Sequence, residues 1–452
     1  MKRHLLSTLA LLVLSVSPSP AATPWSIHEW GTFTSLQDEA GKSIGGINTD
    51  DEPAPSFVHS ISRDLLIPPT DEPPSFFQGA PSCHPDVTMR LETPVLYVHG
   101  RSPQDQAFDV EVQFRGGWLS QYYPAAKVSA PGVDPDSRDF GRLATFTVGS
   151  LRWSGLQLDR SAVGPETAQR VWLAPRAVEA ERIKTPEGEA EQFLFYRGVA
   201  HLDAPLSVSR QDGATTLEIA TQSSFFPTLE SFPEMWLVDI QSEGLAAWRA
   251  IRGEARPRMK TEAGFRPEDY RPDAVAALRS TMHEALEQQG LNADEATALL
   301  NTWEISYFKS PGLRLFFLVP PAWTESTLPL KVSGHPEITR VMVGRIELVT
   351  PHLRELLAKV AEGPTPDPWK DLREPVDALT WKRGDSKAFN QLGEGEIGFA
   401  AIGFKPPAVY QAYLDLGRFR NALVLDEVQR RPTQELQRFI TGFQLGAYQP
   451  AP

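Results

Sequence analysis

The clearest pattern in the chain is apolar and polar side chains alternating at period two. Phe108-Asp-Val-Glu-Val-Gln-Phe114 shows it best, and alternation of this kind predicts a strand buried on one face. Arg90 to His99, Ala144 to Val148, Leu151 to Leu158, Glu191 to Arg197, Leu206 to Arg210, Thr216 to Thr221 and Met235 to Ile240 read the same way, with Gly, Pro or Asp between them. Strands resume at Leu313 to Val319 and Arg340 to Val349. The pattern predicts a mainly β fold, with antiparallel sandwich-like layers. Residues 95–112, 193–210 and 313–332 each join an aromatic-bearing apolar strand to an alternating one. That reads as a hairpin unit used three times.

The period changes to three and four between Pro272 and Gln289, where Val275, Leu278, Met282 and Leu286 mark one helical face that ends at Gly290. Asn292-Ala-Asp-Glu295 supplies a variant capping box for a second helix, reaching to about Tyr307. The two form a helical hairpin set between β parts. Further helices are predicted at Pro351 to Val360, Pro407 to Leu416 and Gln434 to Phe443, the terminal ones placed to cover an open sheet edge. The expected division is an N-terminal β-rich domain at 23–240, a helical segment at 241–312 and a C-terminal β plus α domain at 313–452.

Residues 1–22 have the layout of a secretory signal peptide: Lys2, Arg3 and His4, an apolar run from Leu5 to Val16, then Ser17-Pro-Ser-Pro-Ala-Ala22. The apolar run is too short to span a bilayer, which takes roughly 20 residues. The mature chain is therefore expected to be exported, periplasmic or extracellular, with no transmembrane segment. Its formal charge is −13 over all 452 residues, and it becomes more acidic without Lys2 and Arg3. An acidic body argues against nucleic acid as a partner. Cys83 is the only cysteine, so stability comes from burial and not from an intrachain disulfide.

Catalytic signatures are few. Gly41-Lys-Ser-Ile-Gly45 fits G-x-S-x-G but follows no hydrophobic strand, and Ser306-Tyr-Phe-Lys309 fits S-x-x-K without a later Lys-Thr-Gly. The densest chemistry lies in Trp25 to His59, which carries His28, Glu29, Asp50, Asp51, Glu52 and His59. As a strand, this opening puts His28, Trp30 and Thr32 on one face and Ile27, Glu29, Gly31 and Phe33 on the other. Glu29 then points to a core and requires an Arg or metal partner. Some of His28, Asp50, Asp51 and His59 are candidate ligands of a single divalent cation with an open position for water; the other reading is a solvated acidic loop with two unrelated histidines. Glu29 or Asp51 would act as acid or base.

Arg90 and Glu92 lie two apart on one strand, as do Arg345 and Glu347. Each pair either orients a ligand or closes on itself across a sheet. Trp118, Tyr122 and Tyr123, after Gly116-Gly117, are candidates either for an aromatic platform under a sugar ring or for core packing, and Trp30 is a further substrate-binding candidate.

His28-Glu-Trp-Gly-Thr-Phe-Thr34, with Leu91-Glu-Thr-Pro-Val95 and Val343-Gly-Arg-Ile-Glu347, resembles a family of exported bacterial proteins with no established activity. The resemblance runs over most of the mature chain and implies no cofactor or site. Two functions of different class remain. One is an exported hydrolase acting on a polysaccharide or other extracellular polymer through a His/carboxylate, metal-assisted site. The other is a non-catalytic exported binding or envelope-associated protein, in which the opening motif is a structural staple.

Overall fold

Ser26–Gln37 (β1) is extended throughout and lies in the middle of the main sheet, which is why almost every side chain of the opening stretch is buried. The structure, a computed structural model, describes residues 25–48, 54–61, 84–100, 107–133, 142–222, 228–241, 244–363, 374, 378, 405 and 407–442. The strands that follow are β2 (His59–Ser60), β3 (Met89–His99), β4 (Phe108–Arg115), β5 (Gly117–Tyr123), β6 (Lys127–Ser129), β7 (Val148–Leu158), β8 (Ile183–Lys184) and β9 (Ala190–Glu191). Then come β10 (Leu194–Ala200), β11 (Leu206–Gln211), β12 (Thr216–Thr221), β13 (Met235–Ile240), β14 (Ala246–Ile251), β15 (Arg258–Glu262), β16 (Gly312–Leu318), β17 (Leu330–Val332) and β18 (Glu337–Leu348).

The main sheet runs in the order β14, β13, β16, β18, β1, β3, β10, β5, β7, β4, β17, while β11, β12 and β15 form a second sheet. The fold is mainly β, as the alternation predicts. β1 pairs in parallel with β18 from Ser26↔Glu337 to Gln37↔Leu348, and antiparallel with β3. This pairing removes the expected division at 240 and 313. Strands from the first and last segments share one ladder, and 241–312 itself contains β14 and β15. The three look-alike segments are not hairpins either: β3 does not pair with β4, β10 with β11, or β16 with β17. Only β11 leaves for the second sheet, while β4 and β17 stay in the main sheet away from β3 and β16.

Helices are α1 (Arg170–Leu173), α2 (Ala274–Gln288), α3 (Ala293–Thr302), α4 (Pro321–Thr327), α5 (Pro351–Glu362), α6 (Ala408–Leu414), α7 (Arg420–Arg430) and α8 (Gln434–Gly442). The capping box expected at Asn292 and Glu295 forms, the Glu295 carboxylate accepting from the Asn292 N–H at 2.7 Å. A wide π-type turn, Glu304–Lys309, follows α3 and leads into β16.

The odd face of β1, with Ile27 and Phe33, joins the core shared with β4, β7, β11 and β12. The even face carries two other cores. Trp30 belongs to one covered by α2 and α3, and Leu36 to one covered by α5, α7 and α8. The C-terminal helices thus cover a sheet face and not an edge, burying Leu36, Trp118, Val199 and Val349 beneath them. Among the described residues, no helix is long and apolar enough to cross a membrane.

Candidate functional site

At the N-terminal end of β1 the even face carries Ser26 and then His28, whose backbones pair with His99 and Tyr97 on β3. The two imidazoles meet edge to face, 4.7 Å between ring centres. Above them the N-terminus of α3 lowers Glu295. Its Oε2 lies 2.8 Å from His28 Nδ1 and its Oε1 3.0 Å from His99 Nε2. One ligand atom from each of the three residues can be chosen so that all lie within 4.8 Å of one another. Burial pushes the Glu295 carboxyl up, but the hydrogen bonds from His28, His99 and the Asn292 N–H outweigh it and hold it down at about 2. Glu295 is therefore an ionised carboxylate with no exposed surface, while the two rings retain 12% and 18% of theirs.

Two imidazole nitrogens and one carboxylate oxygen form a donor set suited to zinc and neighbouring divalent transition ions. The residues fit such an ion because the carboxylate is already deprotonated and the rings already converge. Only His28 of this set is a residue that the opening stretch suggests. His99 terminates an ordinary strand, and Glu295 is legible only as a helix cap.

The other expected ligands do not assemble with His28. His59 sits on β2 and bonds through Nε2 to Glu189 at 3.0 Å, stacked on Tyr122 at 5.6 Å. Three strands, β3, β10 and β5, separate β2 from β1, about 19 Å at the usual strand spacing. A single cation cannot use both histidines. Asp50 and Asp51 lie outside the described residues, as does Cys83.

Glu29 faces the opposite side of β1 from His28, as the alternation predicts. Its Oε2 lies 2.5 Å from Nε of Arg340, its neighbour across the β1–β18 ladder, and its Oε1 accepts from the Tyr196 hydroxyl. The expected arginine partner is present. The expected role as acid or base is not supported, since the carboxylate is fully buried and both oxygens are engaged. Trp30 and Trp118 are also fully buried, the latter donating its ring N–H to the Pro131 carbonyl at 2.8 Å. Neither can stack on a sugar; Tyr122 keeps partial exposure.

A second polar group crosses the even face of the sheet between the two helix-covered cores. Arg90 and Glu92 pair on β3 at 3.2 Å, and Arg345 and Glu347 on β18 at 2.6 Å, so both same-face pairs form. Thr34 on β1 stands opposite both Arg90 and Arg345 and donates to Glu92 at 3.0 Å. Glu92 also receives Arg418, from the turn before α7, at 2.6 Å. Arg314 on β16 reaches Glu347 at 3.2 Å and donates to the carbonyls of Ser306, Tyr307, Ser310 and Pro311, fixing the π-type turn. Burial raises the Glu92 carboxyl, but Arg418, Arg90 and Arg345 outweigh it and bring it to about 2. Burial lowers Arg314 to about 10. That these two Arg-x-Glu pairs from distant segments become neighbours follows from β1 lying between β3 and β18, which neither pair announces by itself.

No protein-family model matches the chain, and no curated protein does. Among solved structures, the chain is similar to the Fcho1 mu homology domain of Danio rerio with bound Eps15 peptide, at 8% identity and TM-score 0.26, covering 73% of this chain and 95% of that one. It is also similar to the yeast delta-COP-I mu-homology domain complexed with a Dsl1 WxWxV peptide, at 9% identity and TM-score 0.23, covering 73% and 98%.

Proposed function

We propose that this chain is an exported protein that holds one divalent transition ion at His28, His99 and Glu295, and that it acts as a hydrolase on a polysaccharide or other extracellular polymer. The observation that carries the reading is the convergence of two imidazoles and one ionised carboxylate from three distant segments within 4.8 Å. An ion bound there would supply Lewis acidity and activate water. Glu295 orients both rings, and its own position is set by the capping box, so the donor set is held by secondary structure and not by a loop. With Trp30 and Trp118 buried, sugar stacking would fall to Tyr122 alone.

A non-catalytic binding or envelope-associated protein is the alternative, favoured by one observation. Glu295 already accepts the Asn292 N–H and both imidazoles, so the triad can serve as a staple that docks the helical hairpin on the sheet.

Metal analysis of the purified full chain separates the two. The hydrolase reading expects about one zinc-class ion per chain, lost in His99→Ala, together with chelator-sensitive turnover of chromogenic glycoside or ester substrates. Negligible metal in the wild-type chain after zinc loading and desalting would leave only the staple.

A further inference from the structure

The register of β3, β1 and β18 places more than two histidines on this corner of the even face. Ser26 on β1 stands between His99 on β3 and Glu337 on β18, and His28, one row further in, stands between Tyr97 and Thr339. Paired residues of neighbouring strands share a face, so Ser26, Thr339 and Glu337 all lie beside the two imidazoles. Glu337 is diagonal to His28, about 8 Å between Cα atoms at ordinary strand spacing and rise.

The carboxylates at this corner differ in what already engages them. Glu295 accepts from the Asn292 N–H and faces both imidazoles, and Asp294 accepts from the N–H groups of Glu179 and Glu295 at 2.8 and 2.9 Å. Glu337 is exposed, and among the described residues its carboxylate has no hydrogen bond or ion pair. Gly290, in the turn between α2 and α3, covers Thr339, where an added Cβ would come 3.1 Å from the threonine methyl. The open side of the triad is therefore the side of Ser26 and Glu337.

We infer that Glu337 is the general base of this site and that the bond cleaved is an acyl one, an ester or amide substituent on the polymer. The inference rests on the metal-hydrolase reading above. Cleaving a glycosidic bond ordinarily takes two carboxylates flanking it, and this corner of the sheet face offers one that is unengaged. Acyl transfer to water needs a single group that takes up a proton and then gives it back. The water oxygen bonds to the acyl carbon as Glu337 takes its proton and the carbonyl π electrons move to oxygen. Those electrons return as the bond to the sugar breaks. Its electron pair leaves with the sugar oxygen or nitrogen, which receives the proton from Glu337, giving a carboxylic acid and a free hydroxyl or amine.

The test uses the zinc-loaded full chain with nitrophenyl acetate, an O-acetylated polysaccharide and chitin oligosaccharides, against nitrophenyl glycosides. Acetate release without glycoside cleavage is expected. Glu337→Gln is expected to keep its zinc and its melting temperature and to lower kcat at least about 100-fold with KM little changed. It should also lose the fall in kcat/KM at low pH that an ionised base imposes. Acetohydroxamate, titrated calorimetrically without turnover, is expected to bind zinc-loaded Glu337→Gln at least about tenfold more weakly than wild type, for want of the charged hydrogen-bond acceptor. Failure of the wild-type chain to hold zinc, or to hydrolyse any of these substrates when loaded, would overturn the hydrolase reading and this inference with it. Cleavage of glycosides but not of acyl groups, or full turnover in Glu337→Gln, would overturn the inference alone.

Discussion

Glu295 Oε2 stands 2.8 Å from His28 Nδ1, although 267 positions separate the two residues. The contact ties the N-terminus of α3 to the central strand of the main sheet. Glu295→Ala removes a helix cap and the acceptor of two imidazoles together, so the expected destabilisation is about 2–4 kcal/mol. Urea denaturation followed by tryptophan fluorescence measures it. A change below about 0.5 kcal/mol would show that the triad contributes nothing to docking the helical hairpin.

The same carboxylate predicts an acid-sensitive window. Glu295 and Glu92 are held at about 2 in the folded chain against an ordinary 4.5. The unfolded chain therefore takes up protons first as pH falls. Their stabilisation is fully present above about 4.5 and is lost progressively as pH drops towards 2. The melting temperature should be flat from neutral pH to about 5 and then fall, with a shallower fall in Glu295→Gln. Identical acid profiles for the two proteins would refute the assignment.

Glu29 and Arg340 form a buried pair at 2.5 Å on the opposite face. Truncating one partner leaves the other charge without compensation. Glu29→Ala is expected to cost about 3–5 kcal/mol, whereas Glu29→Leu with Arg340→Met recovers most of that loss. Equal destabilisation by the single and double variants, measured in the same denaturation experiment, would contradict this.

Gly344 lies on β18 directly against the ring of Phe317, where a Cβ would come within 2.0 Å of the ring edge. Phe317 is itself buried in the core. Gly344→Ala should destabilise by about 1–3 kcal/mol through overpacking. Gly344→Ala combined with Phe317→Leu should regain part of it. An unchanged melting temperature in Gly344→Ala would mean the ring moves freely.

Local pattern determined a good deal of this protein. Alternation at period two placed most of the strands and assigned His28 and Glu29 to opposite faces, because successive side chains of any strand must diverge. The three- and four-residue spacing of Val275, Leu278, Met282 and Leu286 and the Asn292 to Glu295 cap located the helical hairpin, since both signals act within a few residues. Tertiary structure alone decided which strand lies beside which. Strand pairing joins residues hundreds of positions apart through backbone hydrogen bonds that carry no side-chain signature. The partner of Glu29 was foreseeable as a cation but not as Arg340, and Glu295 was foreseeable as a cap but not as the group that brings His28 and His99 together. Likewise Arg90-x-Glu92 and Arg345-x-Glu347 are each readable as a pair, but β1 had to settle between β3 and β18 before they could become one buried group of charges.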